Sequence, residues 1–322
     1  MFQNHNELTT TFLEDNYKRL YHSFTQNQKH TRPRPSSSLC PRQITLGMTV
    51  DAPYEQMKCL NDYATIGNAI ENTVLNKYRS NGQLYLSQWR ISESLLNKGL
   101  NMGGIVDAFL KINDKLVLID IKSVGSVENA ASIPLSHEEV EAVNSGQNLT
   151  INAGDTRIKQ TTGKLSKESN LAQLQLYAAI TGFTDVFIQY MSRKVQDGYT
   201  IDGLPSVKFE RIPVTTAILE NRVAVVYYSQ LCLEYGFIPE KLKGIKKTTC
   251  GDAFCPFVNY CWKDEPIDTD LSTIEPEKSS ELKKVALAAA QEYIAKAPER
   301  YEITLEEIEK EHKHRLKKGV TL

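Results

Sequence analysis

Apolar residues along this chain recur with two different periods, and the changes of period divide it into elements. In "YEQMKCLNDYATIGNAIENTVLNKYRS" (54–80), Met57, Leu60, Ile66, Ile70, Val74 and Leu75 fall near helical spacing, and the run ends on "SNG". A stripe of that period covers one face of a helix and Asn-Gly stops it, so a helix is expected there, with a break near Gly67. Three strand patterns follow: "QLYLSQWRIS" (83–92), "GGIVDAFLKI" (103–112) and "KLVLIDIKS" (115–123). Only Asn113 and Asp114 separate the last two, which predicts a tight hairpin. Residues 124–166 are polar and aperiodic, and a connection of that length predicts an inserted lid or mobile segment near a site entrance. "SKESNLAQLQLYAAITGF" (166–183) opens on Ser and charged residues and closes on Gly182, the signature of a bounded helix. "TDVFIQYMSR" and "SVKFERIPV" read as strands, "TAILENRVAVVYYSQLCLEYGF" as an amphipathic helix, and residues 278–318 as charged helices.

The order of helix, three strands, helix, two strands and helix fits an α/β or α+β core, a small central mixed sheet flanked by helices. Three regions follow from it. Residues 1–37 form an N-terminal helix and a basic arm rich in Pro and Ser, 38–262 the core with its insertion, and 263–322 a helical tail. The tail is acidic: residues 264–322 carry ten Lys/Arg against fourteen Asp/Glu, a net of −4, which leaves the preceding residues at +3 within a total of −1. No global basic field therefore announces a nucleic-acid partner. No run of about 18 apolar residues occurs, and "MFQNHNELTTTFLEDNYKRL" lacks the basic-then-apolar layout of a signal peptide. A cytoplasmic protein with no membrane contact is expected.

The chemistry concentrates where the apolar run "VLIDIKS" (117–123) ends on Asp120 and Lys122. Residues two apart on a strand share a face, so this acid and this amine project together. With the Asn113-Asp114 turn as pivot, Asp107 on the first strand of the hairpin faces Asp120 on the second, with Cβ atoms roughly 5 Å apart. Two carboxylates that close repel, and one must take up a proton unless a cation intervenes. Hard oxygen ligands suit Mg²⁺ or Mn²⁺, and Lys122 on the same face would stabilise charge growing on a phosphorus atom.

Asp107, then Asp120-x-Lys122, resembles the site of the PD-(D/E)XK nuclease superfamily. Gly67 to Glu71 in "GNAIE" and Gln173 to Tyr177 in "QLQLY" resemble the two helical motifs of its RecB-type exonuclease branch, with Glu71 where that branch usually has histidine. The resemblance covers residues 38–262. It implies a restriction-endonuclease-like core and hydrolysis of phosphodiester bonds in DNA, with single-stranded ends as the substrate. Asp107, Asp120, Lys122, Gln173 and Tyr177 would be catalytic, and Glu71, Asp107, Asp120 and the backbone of Ile121 would hold Mg²⁺ or Mn²⁺. Lys29, Arg32, Arg34, Tyr63 and Tyr177 are candidates for contact with the strand. Protein partners in a replication, recombination or CRISPR complex fit the same family. A non-catalytic nucleic-acid-binding or assembly subunit that keeps the fold is the alternative.

Six cysteines occur, and three of them crowd into "CGDAFCPFVNYC" (250–261), a density that suggests a metal or cluster site. Together with Cys40 in "LCPRQ", they resemble the four-cysteine iron–sulfur members of the RecB-type branch, such as AddB and the CRISPR-associated exonucleases. The resemblance implies a [4Fe–4S] cluster on Cys40, Cys250, Cys255 and Cys261 that clasps the N-terminal and C-terminal segments together. A tetrahedral Zn²⁺ on the same four, or packing thiols without metal, are the other readings. Cys59 and Cys232, on apolar helix faces, read as packing residues.

Overall fold

The computed structural model describes residues 32–319 except residues 38 and 206 and the segments 51–53, 97–98, 125–167, 193–199, 202–203, 243–254, 264–265 and 267–268. The expected N-terminal helix, most of the basic arm and the 124–166 insertion thus lie outside the described residues, apart from Val124 at a strand end.

Five strands form one mixed sheet in the order β1-β2-β3-β4-β5. They are β1 (Leu84–Arg90), β2 (Ile105–Ile112), β3 (Lys115–Val124), β4 (Val186–Ser192) and β5 (Val207–Arg211). Neighbours are antiparallel except β3 and β4, which run parallel. A parallel step requires a crossover, and helix α3 (Glu168–Thr181) lies in that connection. The other long helices are α1 (Pro41–Thr49), α2 (Tyr54–Ser80), α4 (Thr216–Glu234), α5 (Pro276–Ala295) and α6 (Ala297–Lys317).

The β2–β3 hairpin turns where the sequence places it. Asn113 and Asp114 have φ of 45° and 61°, the positive pair that a two-residue turn matched to strand twist requires. Ala108 pairs with Ile119 and Leu110 with Val117. Continuing that register by one residue sets Asp107 opposite Asp120, as expected.

Each face of the sheet is covered by apolar packing. Val74, Leu75 and Tyr78 of α2 cover Leu84, Ala108, Leu110, Ile119 and Ile121 on one side. On the other side Phe109, Leu118 and Ile188 pack with α3, α4 and α6 in the main core. Helix α2 runs unbroken through Gly67, contrary to the expected break. A Cβ there would meet Ser123 Oγ at 3.6 Å, so this is the point at which the helix crosses the end of β3.

Helix α1 has no counterpart in the sequence reading. Pro41 pre-sets its first turn, and its buried Leu46 packs with Val50, Ile238 and Phe257. The N-terminal and C-terminal parts of the core region therefore meet, as expected, but through apolar side chains. The charged C-terminal helices also carry an apolar stripe: Ala290, Tyr293, Ile294 and Ile308 enter the main core. Arg300, 1% exposed, donates from Nε to Ala179 O at 3.1 Å and from Nη1 to Tyr293 O at 2.6 Å. The guanidinium thus occupies carbonyls at the C-terminal ends of α3 and α5, where the helix dipole favours a cation. Among the described residues no helix is long and apolar enough to cross a membrane.

Candidate active site

Along β3 the residues of one face change character. Leu118 is buried in the main core, whereas Asp120 and Lys122, two and four residues on, follow it where the sheet leaves that core. Asp120 is fully buried, and Lys122 Nζ sits 2.8 Å from its Oδ2. Asp107, on the neighbouring strand, accepts a hydrogen bond at Oδ2 from the backbone N–H of Ile121 at 2.8 Å.

Helix α3 supplies the roof. Residues four apart share a helix face, so Gln173 and Tyr177 reach the same place. Gln173 Nε2 lies 3.4 Å from Asp120 Oδ1 and 3.5 Å from Tyr177 Oη. Tyr177 donates to Ile105 O at 2.7 Å, which pins α3 to the start of β2. Gly104 permits that approach, since a Cβ there would lie 2.9 Å from Tyr177 Cε1. Glu71 enters from α2, one turn beyond Gly67, and accepts a hydrogen bond from Gln88 of β1. All six predicted side chains therefore converge, from elements spread between residues 71 and 177.

Charge in this cluster is unbalanced, with three carboxyl groups and one ammonium. Desolvation and the charge of Asp120 push the Asp107 carboxyl well above the usual carboxylate range, and Glu71 adds to the effect. Desolvation likewise raises Asp120, against the pull of Lys122. It raises Glu71 too, with Asp120 as the second cause. Burial opposes the ammonium of Lys122, but Asp120 and Asp107 more than offset it, so the lysine stays charged. Tyr177 is pushed up by burial and remains a neutral hydroxyl.

A stability prediction follows from Asp107. Its folded-state pKa exceeds its unfolded value, so between the two the folded protein binds more protons. The stability this gives is complete below the unfolded pKa and is lost as pH rises through the folded one. Asp107→Asn should therefore raise the melting temperature at neutral pH, by about 2–4 °C for each kcal/mol relieved, and leave it unchanged near pH 4. Melting curves of both proteins across pH check this, and equal shifts at both pH values would refute it.

The expectation of bound metal is corrected. Among the described residues no group of three or more His, Cys, Asp or Glu side chains is placed to hold a metal ion. At Glu71, Asp107, Asp120 and Ile121, where Mg²⁺ or Mn²⁺ was expected, Lys122 takes the position of counter-charge against Asp120, and Asp107 is engaged by the Ile121 N–H. For the [4Fe–4S] cluster or Zn²⁺, Cys250 lies outside the described residues. Cys40, Cys255 and Cys261 line one cavity, together with Phe257 and Trp262. Cations border it as well: Arg42 Nη1 donates to Cys261 Sγ at 3.9 Å, and Lys241 Nζ to Cys261 O at 2.7 Å. Among the described residues, the contact between the two segments is the apolar packing of Leu46 and Val50 with Ile238 and Phe257. Cys232 is buried beside Tyr228, as a packing thiol should be, and burial pushes its pKa up to about 11.

Of the expected strand contacts, Lys29 and the side chain of Tyr63 lie outside the described residues. Arg32 is committed to a two-pronged pair with Glu93 at 2.7 and 2.9 Å, and Arg34 is exposed. Gln88 was not foreseen; a glutamine inside a strand pattern carries no signal of its own.

No family model matches the chain, and no curated protein is similar to it. A solved structure, that of SSO0001, is similar over 80% of this chain and 98% of its own, at 13% identity and a TM-score of 0.40.

Proposed function

We propose that this chain has a PD-(D/E)XK core and is a nuclease that hydrolyses phosphodiester bonds in DNA from single-stranded ends. The observation that carries the reading is the convergence of Asp107, Asp120 and Lys122 on one sheet face, under Gln173 and Tyr177 and beside Glu71. In this reading Lys122, fixed by Asp120, faces the scissile phosphate and stabilises the negative charge that grows on its oxygens. Glu71 takes a proton from the attacking water. Desolvation, with the charge of Asp120, raises its pKa above that of an ordinary glutamate, the direction that strengthens a carboxylate as a base. The water oxygen bonds to phosphorus, the bond to the leaving oxygen breaks, and the proton returns to that oxygen. Gln173 holds Asp120, and Tyr177 anchors α3 over the site.

The test is incubation of the purified chain with end-labelled single-stranded and duplex DNA and with RNA, in buffers with and without divalent ions. Release of nucleotides from single-stranded DNA ends is expected. Binding without cleavage in every buffer would instead assign the chain to the non-catalytic, nucleic-acid-binding class.

A further inference from the structure

One residue beside the site holds a backbone conformation that its side chain does not favour. Gln88 has φ of 51° within β1, a region that a non-glycine residue enters at a cost of about 1–2 kcal/mol. Its neighbours Ser87 and Trp89 pair with Ala108 and Val106, so Gln88 stands opposite Asp107. The conformation has a visible effect on the strand. Strict alternation would put Leu86 and Trp89, three residues apart, on opposite faces, yet both pack in the main core. The phase slips at Gln88, which turns Trp89 inward and leaves the Gln88 side chain outward, where its Nε2 donates to Glu71 Oε1.

The residue just before the slip is held from outside the sheet. Arg315 of α6 donates from Nη1 to Ser87 O at 2.8 Å, and its Nε is fixed by Glu311 at 2.8 Å. One turn earlier on α6, His312 Nδ1 lies 2.6 Å from Tyr85 O, and its ring stacks on Tyr85 at 4.1 Å and 8°. The C-terminal helix thus grips two alternate carbonyls of the edge strand immediately before Gln88. Strain of this kind persists only where surrounding contacts over-determine it.

We propose that Gln88 is a positioning residue for the reaction, aiming Glu71 at Asp120 and Lys122, and that Arg315 of the C-terminal helix holds Gln88 in the required conformation. The inference rests on the nuclease reading for its catalytic consequence. The contact between Gln88 and Glu71 is testable without it.

Gln88→Ala and Gln88→Gly both delete the amide, but only glycine accepts the positive φ. Both should lower kcat roughly tenfold, the effect of losing one hydrogen bond to a charged group, with KM within about twofold of the parent. Gln88→Gly should unfold at higher denaturant than Gln88→Ala. Arg315→Ala should lower kcat in the same direction and add nothing to Gln88→Gly, because the two act through one contact chain. Parental kcat in Gln88→Gly, a rise in KM alone, or additive losses in the double variant would overturn the proposal. If the parent cleaves no nucleic acid, a denaturation cycle of Glu71→Ala, Gln88→Ala and the double variant still decides it. Non-additive midpoints uphold the contact, and additive ones remove it.

Discussion

Lys122→Ala should abolish cleavage and also destabilise the fold at neutral pH, with the destabilisation relieved on acidification. The lysine is the single cation among Glu71, Asp107 and Asp120, and its ammonium lies 2.8 Å from a fully buried carboxylate. Removing one partner of a buried pair costs about 3–5 kcal/mol. A loss of roughly 2–3 kcal/mol is expected here, because the Lys122 side chain keeps 26% of its surface in water. Without the lysine, all three carboxyl groups titrate still higher, so lowering the pH protonates them and restores the variant toward the parent. Turnover of end-labelled DNA and denaturant unfolding at neutral and acid pH measure the two effects separately. Lys122→Arg keeps the charge and should recover stability, while the bulkier fork disturbs the site and leaves turnover low. Full turnover in Lys122→Ala would remove the lysine from the reaction, and stability unchanged with pH would remove the charge argument.

Gly182→Ala should be the most damaging single-methyl change in the described protein. Gly182 ends α3 with φ of 75°, and an added Cβ would lie 2.5 Å from Ala297 O and 2.7 Å from Tyr301 N. Both are backbone atoms at the start of α6 and cannot step aside. The left-handed conformation adds about 1–2 kcal/mol to the clash, and a total loss above about 4 kcal/mol is expected. Denaturant unfolding reads it. Gly236→Ala is the control: its φ is also 75°, but a Cβ there meets nothing within 4 Å. A similar small loss in both variants would show that the α3–α6 contact yields to a methyl group.

Much of the site was legible because short-range rules fix it. Hairpin arithmetic around Asn113 and Asp114 needs only the turn length, and the pairing of Ala108 with Ile119 continues to Asp107 and Asp120. The four-residue steps from Gly67 to Glu71 and from Gln173 to Tyr177 need only a helix, and Gly182 marks where one stops. What the sequence concealed depends on tertiary context. Helix α1 is short, and its residues are buried by Ile238 and Phe257, far along the chain. The left-handed turn at Gln88 is imposed by partners on α2 and α6, while glutamine itself signals nothing of the kind. The cysteine spacing suggested metal, but among the described residues no such group is placed to hold one, and Arg42 and Lys241 border the cavity that Cys40, Cys255 and Cys261 line. The charged surface of residues 278–318 hid an apolar stripe of widely spaced Ala, Tyr and Ile residues that joins the main core.

That stripe bears on how the chain is made. The main core contains Ile44 from α1 and Ile308 from α6, and the guanidinium that caps α3 comes from Arg300. A ribosome releases the sheet, α3 and α4 long before it releases α6. Until then one side of the sheet lacks its last cover, Ala179 lacks its donor, and the edge of β1 is open to pairing with other chains. Nascent chains stalled or terminated before residue 297 should therefore be caught by chaperones or aggregate, and folding of this core waits until α6 has been made.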